Sequence, residues 1–200
     1  MKLAAPFVLL ILAATAVAAT ASGRISLSPT ASKCGGQLWR LKTFSDPQRN
    51  SVEMTPVTTT IEAISQRPYP RPVPRRRRTP FQHQDWEVVA QITQFKLDAG
   101  GIRLVLYDAN SYMNAVIPIP SCLSTATRAR DAITSAWRSL ALGCAQPQGT
   151  WQPLGAIAYV SGVGYWSQRI GRRGAARNGA ELHPVTGLRV VAGCSKRANG

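Results

Sequence analysis

Glu181 and His183 are the residue pair of this sequence best suited to acid–base chemistry. They stand two positions apart, so in a β-strand both side chains leave the same face. A carboxylate beside an imidazole can orient a general base, but the sequence has no nucleophile motif such as G-x-S-x-G. In the alternative interpretation, both side chains satisfy backbone groups of the preceding loop or pair with a basic residue. We therefore assign no catalytic residue, and the sequence leaves enzymatic activity open.

The segment before this pair, residues 168–179, is rich in arginine. It contains four arginines among glycines and alanines: Arg169, Arg172, Arg173 and Arg177. Guanidinium groups in such a loop can approach phosphates or carboxylates with little steric hindrance. Tyr107 and Tyr112 occur in neighbouring predicted strands, where their rings can stack on bases. These six residues are the predicted ligand-binding set, and a flexible solvated loop is the alternative.

Metal-dependent chemistry is not favoured, because metal-ligating side chains are scarce and dispersed. The sequence contains two histidines, His83 and His183, and nine acidic residues spread along the chain. A nuclease of the staphylococcal type needs clustered carboxylates for a divalent metal beside its arginines, and no D-x-D motif occurs. The cysteines lack the close C-x2-C pairs of a zinc site. The sequence predicts neither a metal nor a cofactor.

The elements that position these residues follow from hydrophobic periodicity. Alternation of apolar and polar residues predicts three strands: Trp86–Leu97, Ile102–Asp108 and Tyr112–Ile119. Apolar residues at spacings of three and four then predict an amphipathic helix over Ser124–Leu140, with Ser121 or Ser124 as its cap. A fourth strand is predicted to end at Trp166, and a fifth runs from Glu181 toward Val190.

Three strands, a helix and two strands is the chain order of an OB-fold. The predicted fold class is therefore mainly β: a five-stranded OB-like barrel with one helix between strands three and four, plus an irregular N-terminal extension. Gly162 and Gly164 inside the fourth strand predict a bulge or a sharp bend. An open five-stranded sheet with one covering helix is the alternative.

Residues 1–21 are predicted to be a secretory signal peptide, because Lys2 precedes an apolar run that ends in small residues. An uncleaved anchor is the alternative, but the run is shorter than the roughly 20 residues that span a bilayer. After cleavage no stable membrane span is predicted, and the protein is expected to be secreted or periplasmic. The remaining predicted regions are the extension 22–84 with its Pro/Arg-rich linker, the barrel domain 85–194 and the tail 195–200.

Two local patterns stand out in the extension. Alternation predicts a short strand over Leu38–Thr43, and Thr59 with Glu62 at capping-box spacing predicts helical turns over Thr60–Gln66.

Further along, alternating prolines followed by the run Arg75–Arg78 predict polyproline II or disorder over Arg67–Arg78. This linker is either solvated or contacts phosphates. The formal net charge of +15 at pH 7 attracts nucleic acid, anionic lipid or acidic glycans without specifying one of them. Alternatively, the arginine content reflects only a GC-rich coding sequence.

The four cysteines of an exported chain predict two disulfides, for which three connectivities are possible. Two motifs then point to a family. One is Gly162-Val163-Gly164 followed, after a glycine-bounded loop, by Asn178 and Glu181-Leu182-His183-Pro184-Val185. The other is formed by Trp39, Lys42, Thr43 and Asp46. Together they resemble the motifs of an uncharacterised family of small secreted bacterial proteins. The resemblance marks five residues as a structural motif: Lys42, Asp46, Asn178, Glu181 and His183.

The resemblance implies an OB-type barrel with a disulfide between Cys34 and Cys122, which leaves Cys144 and Cys194 as a second pair. The family has a histidine at the position of Ile170 and Gln-Thr at Arg172-Arg173, so this loop is more basic than in its relatives. No activity follows from the resemblance.

We therefore expect an exported basic binding module that contacts an anionic ligand through the loop between the fourth and fifth strands, aided by Arg75–Arg78. The ligand class is nucleic acid or another polyanion such as an envelope polymer. The alternative is a structural or protein-interaction barrel of the periplasm or envelope, with a secreted or envelope partner protein and no ligand chemistry.

Overall fold

A computed structural model describes residues 34–168 and 171–194 of the protein. The predicted signal peptide, the tail 195–200 and Arg169 lie outside these residues. Within this part of the chain there are six strands: β1 (Glu53–Thr58), β2 (Gln84–Asp98), β3 (Gly101–Asp108), β4 (Ser111–Ile117), β5 (Gln152–Trp166) and β6 (Ala180–Ala192). The α-helices are α1 (Trp39–Lys42), α2 (Ile61–Ser65) and α3 (Arg130–Ala141), and short 3-10 turns cover Arg49–Ser51, Pro80–His83 and Pro120–Cys122.

Five of these strands are hydrogen-bonded in a closed ring. The order in the sheet is β1-β2-β3-β4-β6-β5, and β5 pairs back onto β2. The β4–β6 pair is parallel and the other pairs of the ring are antiparallel. The mainly β prediction is confirmed, with six strands where five were predicted. The additional strand, β1, pairs in parallel with the first residues of β2. Five of its six residues are exposed, so no apolar alternation indicated it.

The core lies on the inward face of the ring. Ile102, Leu104 and Leu106 of β3 are fully buried there, as are Met113 and Ile117 of β4. The helix α3 packs its apolar face into the same core through Ile133, Ala136 and Leu140. The helix predicted between the third and fourth strands is therefore present, between β4 and β5 in our numbering.

This helix begins at Arg130 rather than at Ser124, and no side chain caps it. The segment before it is held by the N-terminal extension instead. Arg128 Nη1 donates to the carbonyls of Arg49 at 2.7 Å and Val52 at 2.9 Å, and the Arg128 backbone N–H donates to Phe44 O at 2.9 Å. These tertiary contacts replace the first turns that the helical spacing predicted.

The predicted irregularity in β5 is confirmed, since the pairing of β5 with β6 shifts register between Gly162 and Gly164. A β-carbon at Gly164 would collide with the backbone carbonyl of Phe81. Only glycine therefore allows the 3-10 turn before β2 to pack directly on β5.

The segment Leu38–Thr43 contains the helix α1 (Trp39–Lys42) and its two flanking residues rather than the predicted strand. The Thr43 N–H donates to Trp39 O at 2.9 Å, and the Thr43 hydroxyl donates to the same carbonyl at 2.9 Å. Alternation over six residues is too short a signal to outweigh these local helical bonds. The helical turns predicted nearby are confirmed as α2, although the capping side chain is Thr60, whose Oγ1 accepts from the Ala63 N–H at 3.0 Å.

Arg77 departs from the expectation that the run Arg75–Arg78 is solvated or contacts phosphates. Its side chain is 1% exposed and lies 2.9 Å from the carboxylate of Asp46. It also donates to the carbonyls of Gln82 and Leu41, both at 3.2 Å. Arg75, Arg76 and Arg78 are exposed. Arg77 therefore stabilises the extension through internal contacts, and the other three arginines of the run are exposed.

Both disulfides have the connectivity implied by the family resemblance. Cys34 is bonded to Cys122 and Cys144 to Cys194. The first joins the start of the described chain to the turn after β4, and the second joins the residues just after α3 to those just after β6. Two disulfides are consistent with an oxidising compartment. No helix among the described residues is long and apolar enough to cross a membrane.

Candidate functional site

The side chains that alternate with the core residues form a polar cluster on the outward face of the ring. Arg103 lies between the core residues Ile102 and Leu104 of β3, and Leu182 separates Glu181 from His183 on β6. Tyr165 of β5 is the pairing partner of Glu181. The two-residue period of strands thus places Arg103, Glu181 and His183 together on the outward side, opposite the core.

These three residues are the floor of a cleft with a volume of about 620 Å³. The chain from Gly35 to Lys42 forms one wall, and the turn from Asp98 to Gly100 forms another. Four basic residues at the edge form what we call the rim: Lys42, Lys96, Arg172 and Arg173. Trp151 also lines the cleft. The cleft therefore unites the N-terminal extension, β3, β6 and the arginine loop.

Arg103 on the floor is paired with two carboxylates, Glu181 beside it and Asp98 in the adjoining wall. Its Nε lies 3.0 Å from Asp98 Oδ2, and its Nη1 lies 3.4 Å from Glu181 Oε1. Burial alone would lower the pKa of Arg103, but the charges of Glu181 and Asp98 outweigh burial and raise it. Burial likewise opposes ionisation of Glu181, yet the charge of Arg103 holds the pKa of Glu181 below its usual value. The floor is therefore a charged network at neutral pH.

His183 is the exception in this network, because it is buried and lacks hydrogen bonds. It is 2% exposed, and its Nδ1 lies 3.9 Å from Glu181 Oε2, too far for a hydrogen bond. Neither ring nitrogen has a hydrogen-bond partner among the described residues. Burial lowers the pKa of His183 to about 4, despite the attraction of Glu181. The imidazole is therefore neutral at physiological pH and has unused hydrogen-bonding capacity, which costs about 1–3 kcal/mol when buried.

The rim supplies positive charge beside an aromatic ring. The Lys96 ammonium and the Arg173 guanidinium lie 5.1 Å and 5.6 Å from the centroid of the Trp151 ring. Arg173 Nη1 also donates to Gln94 Oε1 at 3.1 Å. Among the described residues, the lining of the cleft contains five basic and two acidic side chains, so its formal net charge is +3 when His183 is neutral.

Two asparagines hold the arginine loop in place. Asn178 Nδ2 donates to the carbonyls of Ile64 at 2.8 Å and Arg67 at 2.9 Å, at the end of α2. With its amide nitrogen facing the acceptors, Asn114 of β4 donates to Leu104 O at 3.3 Å and to Arg173 O at 3.2 Å. The position of Arg173 at the cleft is therefore fixed from β4.

The residues predicted as a structural motif separate into two groups. Lys42, Glu181 and His183 meet at the cleft. Asp46 instead binds Arg77, and Asn178 anchors the loop, so these two serve the fold.

Only part of the predicted ligand-binding set lies at this cleft. Arg172 and Arg173 line it, whereas Arg177 and Tyr112 line a neighbouring groove of about 370 Å³. Tyr107 packs against Tyr112 with 4.8 Å between ring centroids, and its hydroxyl donates to Asn110 Oδ1 at 3.1 Å. Arg169 lies outside the described residues. The two tyrosines therefore form a separate aromatic pair, not a stacking platform within the cleft.

Sequence reasoning did not single out Arg103, Asp98, Lys96 or Trp151. The signal available for Arg103 is a lone arginine within the apolar strand IRLVLY, five positions after Asp98. A charged residue on a largely buried strand needs a partner, and this requirement could have pointed to Asp98.

Metal binding is not indicated by the geometry. Across residues 34–168 and 171–194, no three or more His, Cys, Asp or Glu side chains are grouped so that they could hold a metal ion.

Comparison with known proteins finds similarity to solved structures but no matching family. No protein-family model and no curated protein matches the chain. Among solved structures, a protein of Leishmania major Friedlin, provisionally identified as an aspartyl-tRNA synthetase, matches with a TM-score of 0.42 and 10% sequence identity. The match covers 69% of this chain and 21% of that chain, so the protein spans about a fifth of it. A similarity this low assigns neither fold nor function.

Proposed function

We propose that the protein is an exported basic binding module that holds a phosphate-bearing polyanion along the rim of the cleft. The observation that supports this most is the convergence of Lys42, Lys96, Arg172 and Arg173 on one concave surface, whose described lining has a formal net charge of +3. Guanidinium groups match phosphate oxygens in fork geometry. Concave surfaces with one sign of charge also raise the local concentration of oppositely charged ligands.

The rim favours contact with the ligand backbone over stacking on bases. Trp151 already has two cations near its ring, Lys96 and Arg173, which compete with a base for the ring. Nucleic acid and phosphate-bearing envelope polymers both supply the repeated phosphates that the rim fits.

We also propose that the fold is an OB-like barrel and that the protein is exported. The elements β2 to β6 and α3 follow the chain order of three strands, one helix and two strands, and the strands form a hydrogen-bonded ring. This arrangement supports an OB-like barrel. Ligands of such barrels meet the outward face of the second and third strands. The disulfides and the N-terminal sequence support export to the periplasm or beyond. The disulfide pairing also supports membership of the secreted family that the chain resembles.

A binding titration tests the proposal. A fluorescent single-stranded oligodeoxynucleotide, measured by anisotropy, should bind at low salt and dissociate as salt is raised. Replacing Arg172 and Arg173 together by alanine should weaken binding about tenfold. The same variant should reduce the slope of log K against log salt by about 1.4, since each phosphate contact on a single strand contributes about 0.7.

A matched control removes two exposed arginines from α3. The double variant Arg130→Ala/Arg138→Ala loses the same charge from positions that do not line the cleft, so it should bind nearly as the wild type does. Equal losses in both double variants would mean that net charge, not the cleft, causes binding. No binding at low salt would refute the proposal and favour the structural or protein-interaction alternative.

A further inference from the structure

The floor of the cleft differs chemically from the rim, because its cation is already paired. Arg103 contacts both Asp98 and Glu181, so it has little remaining attraction for an added anion. The two carboxylates would repel a phosphate placed on the floor. The Asp98 side chain is 24% exposed and can accept hydrogen bonds from a ligand. The floor therefore suits a neutral hydrogen-bond donor.

The unpartnered imidazole of His183 leads to the same conclusion. Its Nδ1 is the nitrogen nearer the ionised Glu181, and a proton on Nδ1 is favoured beside a carboxylate. A neutral imidazole has one proton, so Nε2 is then an acceptor without a donor. His183 Nε2 therefore lacks a hydrogen-bond donor, and a hydroxyl group of a ligand would supply one.

We infer that the floor is a subsite for a sugar hydroxyl adjacent to a phosphate on the rim, and that the ligand is a ribose phosphate polymer, single-stranded RNA. This inference depends on the proposed function, since the rim must hold the phosphate. Carboxylates recognise ribose hydroxyls in other nucleotide sites, and the 2′-hydroxyl is the group by which a protein distinguishes RNA from DNA. Glu181 and His183 are then specificity residues rather than catalytic ones.

Three oligonucleotides of one unstructured sequence test the inference: RNA, DNA and 2′-O-methyl RNA. The wild-type protein should bind RNA about tenfold more tightly than DNA, because only RNA satisfies the buried acceptor. The 2′-O-methyl oligonucleotide keeps the ribose but cannot donate a hydrogen bond from the 2′-position, so it should bind no better than DNA.

His183→Phe is the decisive variant. It keeps a planar ring and removes only unpartnered nitrogens, so it should fold, which the melting temperature checks. The ratio of its RNA affinity to its DNA affinity should fall to about one. The Arg172→Ala/Arg173→Ala variant should weaken RNA and DNA binding equally and preserve their ratio. Nitrogen-15 NMR should show the Nε2 signal of His183 shifting with RNA but not with DNA.

The failures of the two proposals are distinguishable. Equal binding of RNA and DNA by the wild type would overturn the hydroxyl subsite and leave the polyanion site standing. A His183→Phe variant that retains the RNA preference would overturn the role of His183. Binding of neither polymer would overturn the proposed function itself.

Discussion

The stability of this protein should contain two pH-dependent contributions that largely cancel, because two buried groups have opposite pKa changes. Asp85 is 2% exposed, and both its carboxylate oxygens lie 2.9 Å from the hydroxyl of Thr186. Burial raises the pKa of Asp85 from 3.8 to about 6, against the effect of the Thr186 hydrogen bond. Burial lowers the pKa of His183 from 6.5 to about 4.

The signs of the two effects follow from proton counting. Between about pH 4 and about pH 6, folded Asp85 keeps a proton that unfolded Asp85 has released, so its contribution to stability falls as pH rises. Over nearly the same interval, unfolded His183 binds a proton that folded His183 does not, so its contribution rises with pH. Each unit by which a pKa differs between the folded and unfolded states is worth about 1.4 kcal/mol. Each group therefore changes the free energy of unfolding by about 3 kcal/mol, in opposite directions.

Single substitutions should reveal each effect. Asp85→Asn keeps a hydrogen-bonding partner for Thr186 and removes the titration. Relative to the wild type, its free energy of unfolding should therefore rise by about 3 kcal/mol between about pH 4 and about pH 6. His183→Phe should show the opposite change. Urea unfolding at a series of pH values, followed by the fluorescence of the five tryptophans, measures both.

The difference between variant and wild type isolates each group, because the remaining carboxylates titrate in both proteins. A flat difference curve for Asp85→Asn would refute the argument that burial keeps this carboxyl protonated.

The remaining predictions concern the N-terminal extension, and urea unfolding also tests them. Arg77→Met leaves a buried carboxylate without its partner, so it should lower the free energy of unfolding by about 3–5 kcal/mol. Arg76→Met, at an exposed position, should change it by less than about 0.5 kcal/mol, and equal effects would refute a special role for Arg77. Replacing Cys34 and Cys122 by serine opens a disulfide across 88 residues and should cost about 4 kcal/mol. An unchanged unfolding midpoint would show that this disulfide does not stabilise the fold.

The five strands of the ring could be predicted from the sequence because one face of each is apolar over many residues. β3 shows this best, since Ile102, Leu104 and Leu106 alternate with Arg103 and Val105. The strand β1 could not be predicted, because its residues lie mostly in solvent and their pairing with β2 depends on the tertiary fold. The prediction of a strand over Leu38–Thr43 was wrong for a related reason, because six alternating residues do not distinguish a strand from a helical turn.

The candidate site was predictable only where residues are close in sequence. Arg172 and Arg173 were found by composition, and the pair of Glu181 and His183 was found by its spacing. The ion pair of Glu181 with Arg103 joins residues 78 positions apart, and only closure of the ring brings them together. Arg77 could not be assigned a buried role for the same reason, since Asp46 is 31 positions away.

The floor and the core occupy alternate residues of the same strands, whereas Arg172 and Arg173 belong to a connecting loop. Exchanging a loop arginine alters what the cleft attracts without disturbing a single interior contact, but moving Glu181 by one position would exchange it with Leu182. Evolution, or a protein engineer, can therefore change the charge of the cleft freely, while any change to the floor must be reconciled with the packing behind it.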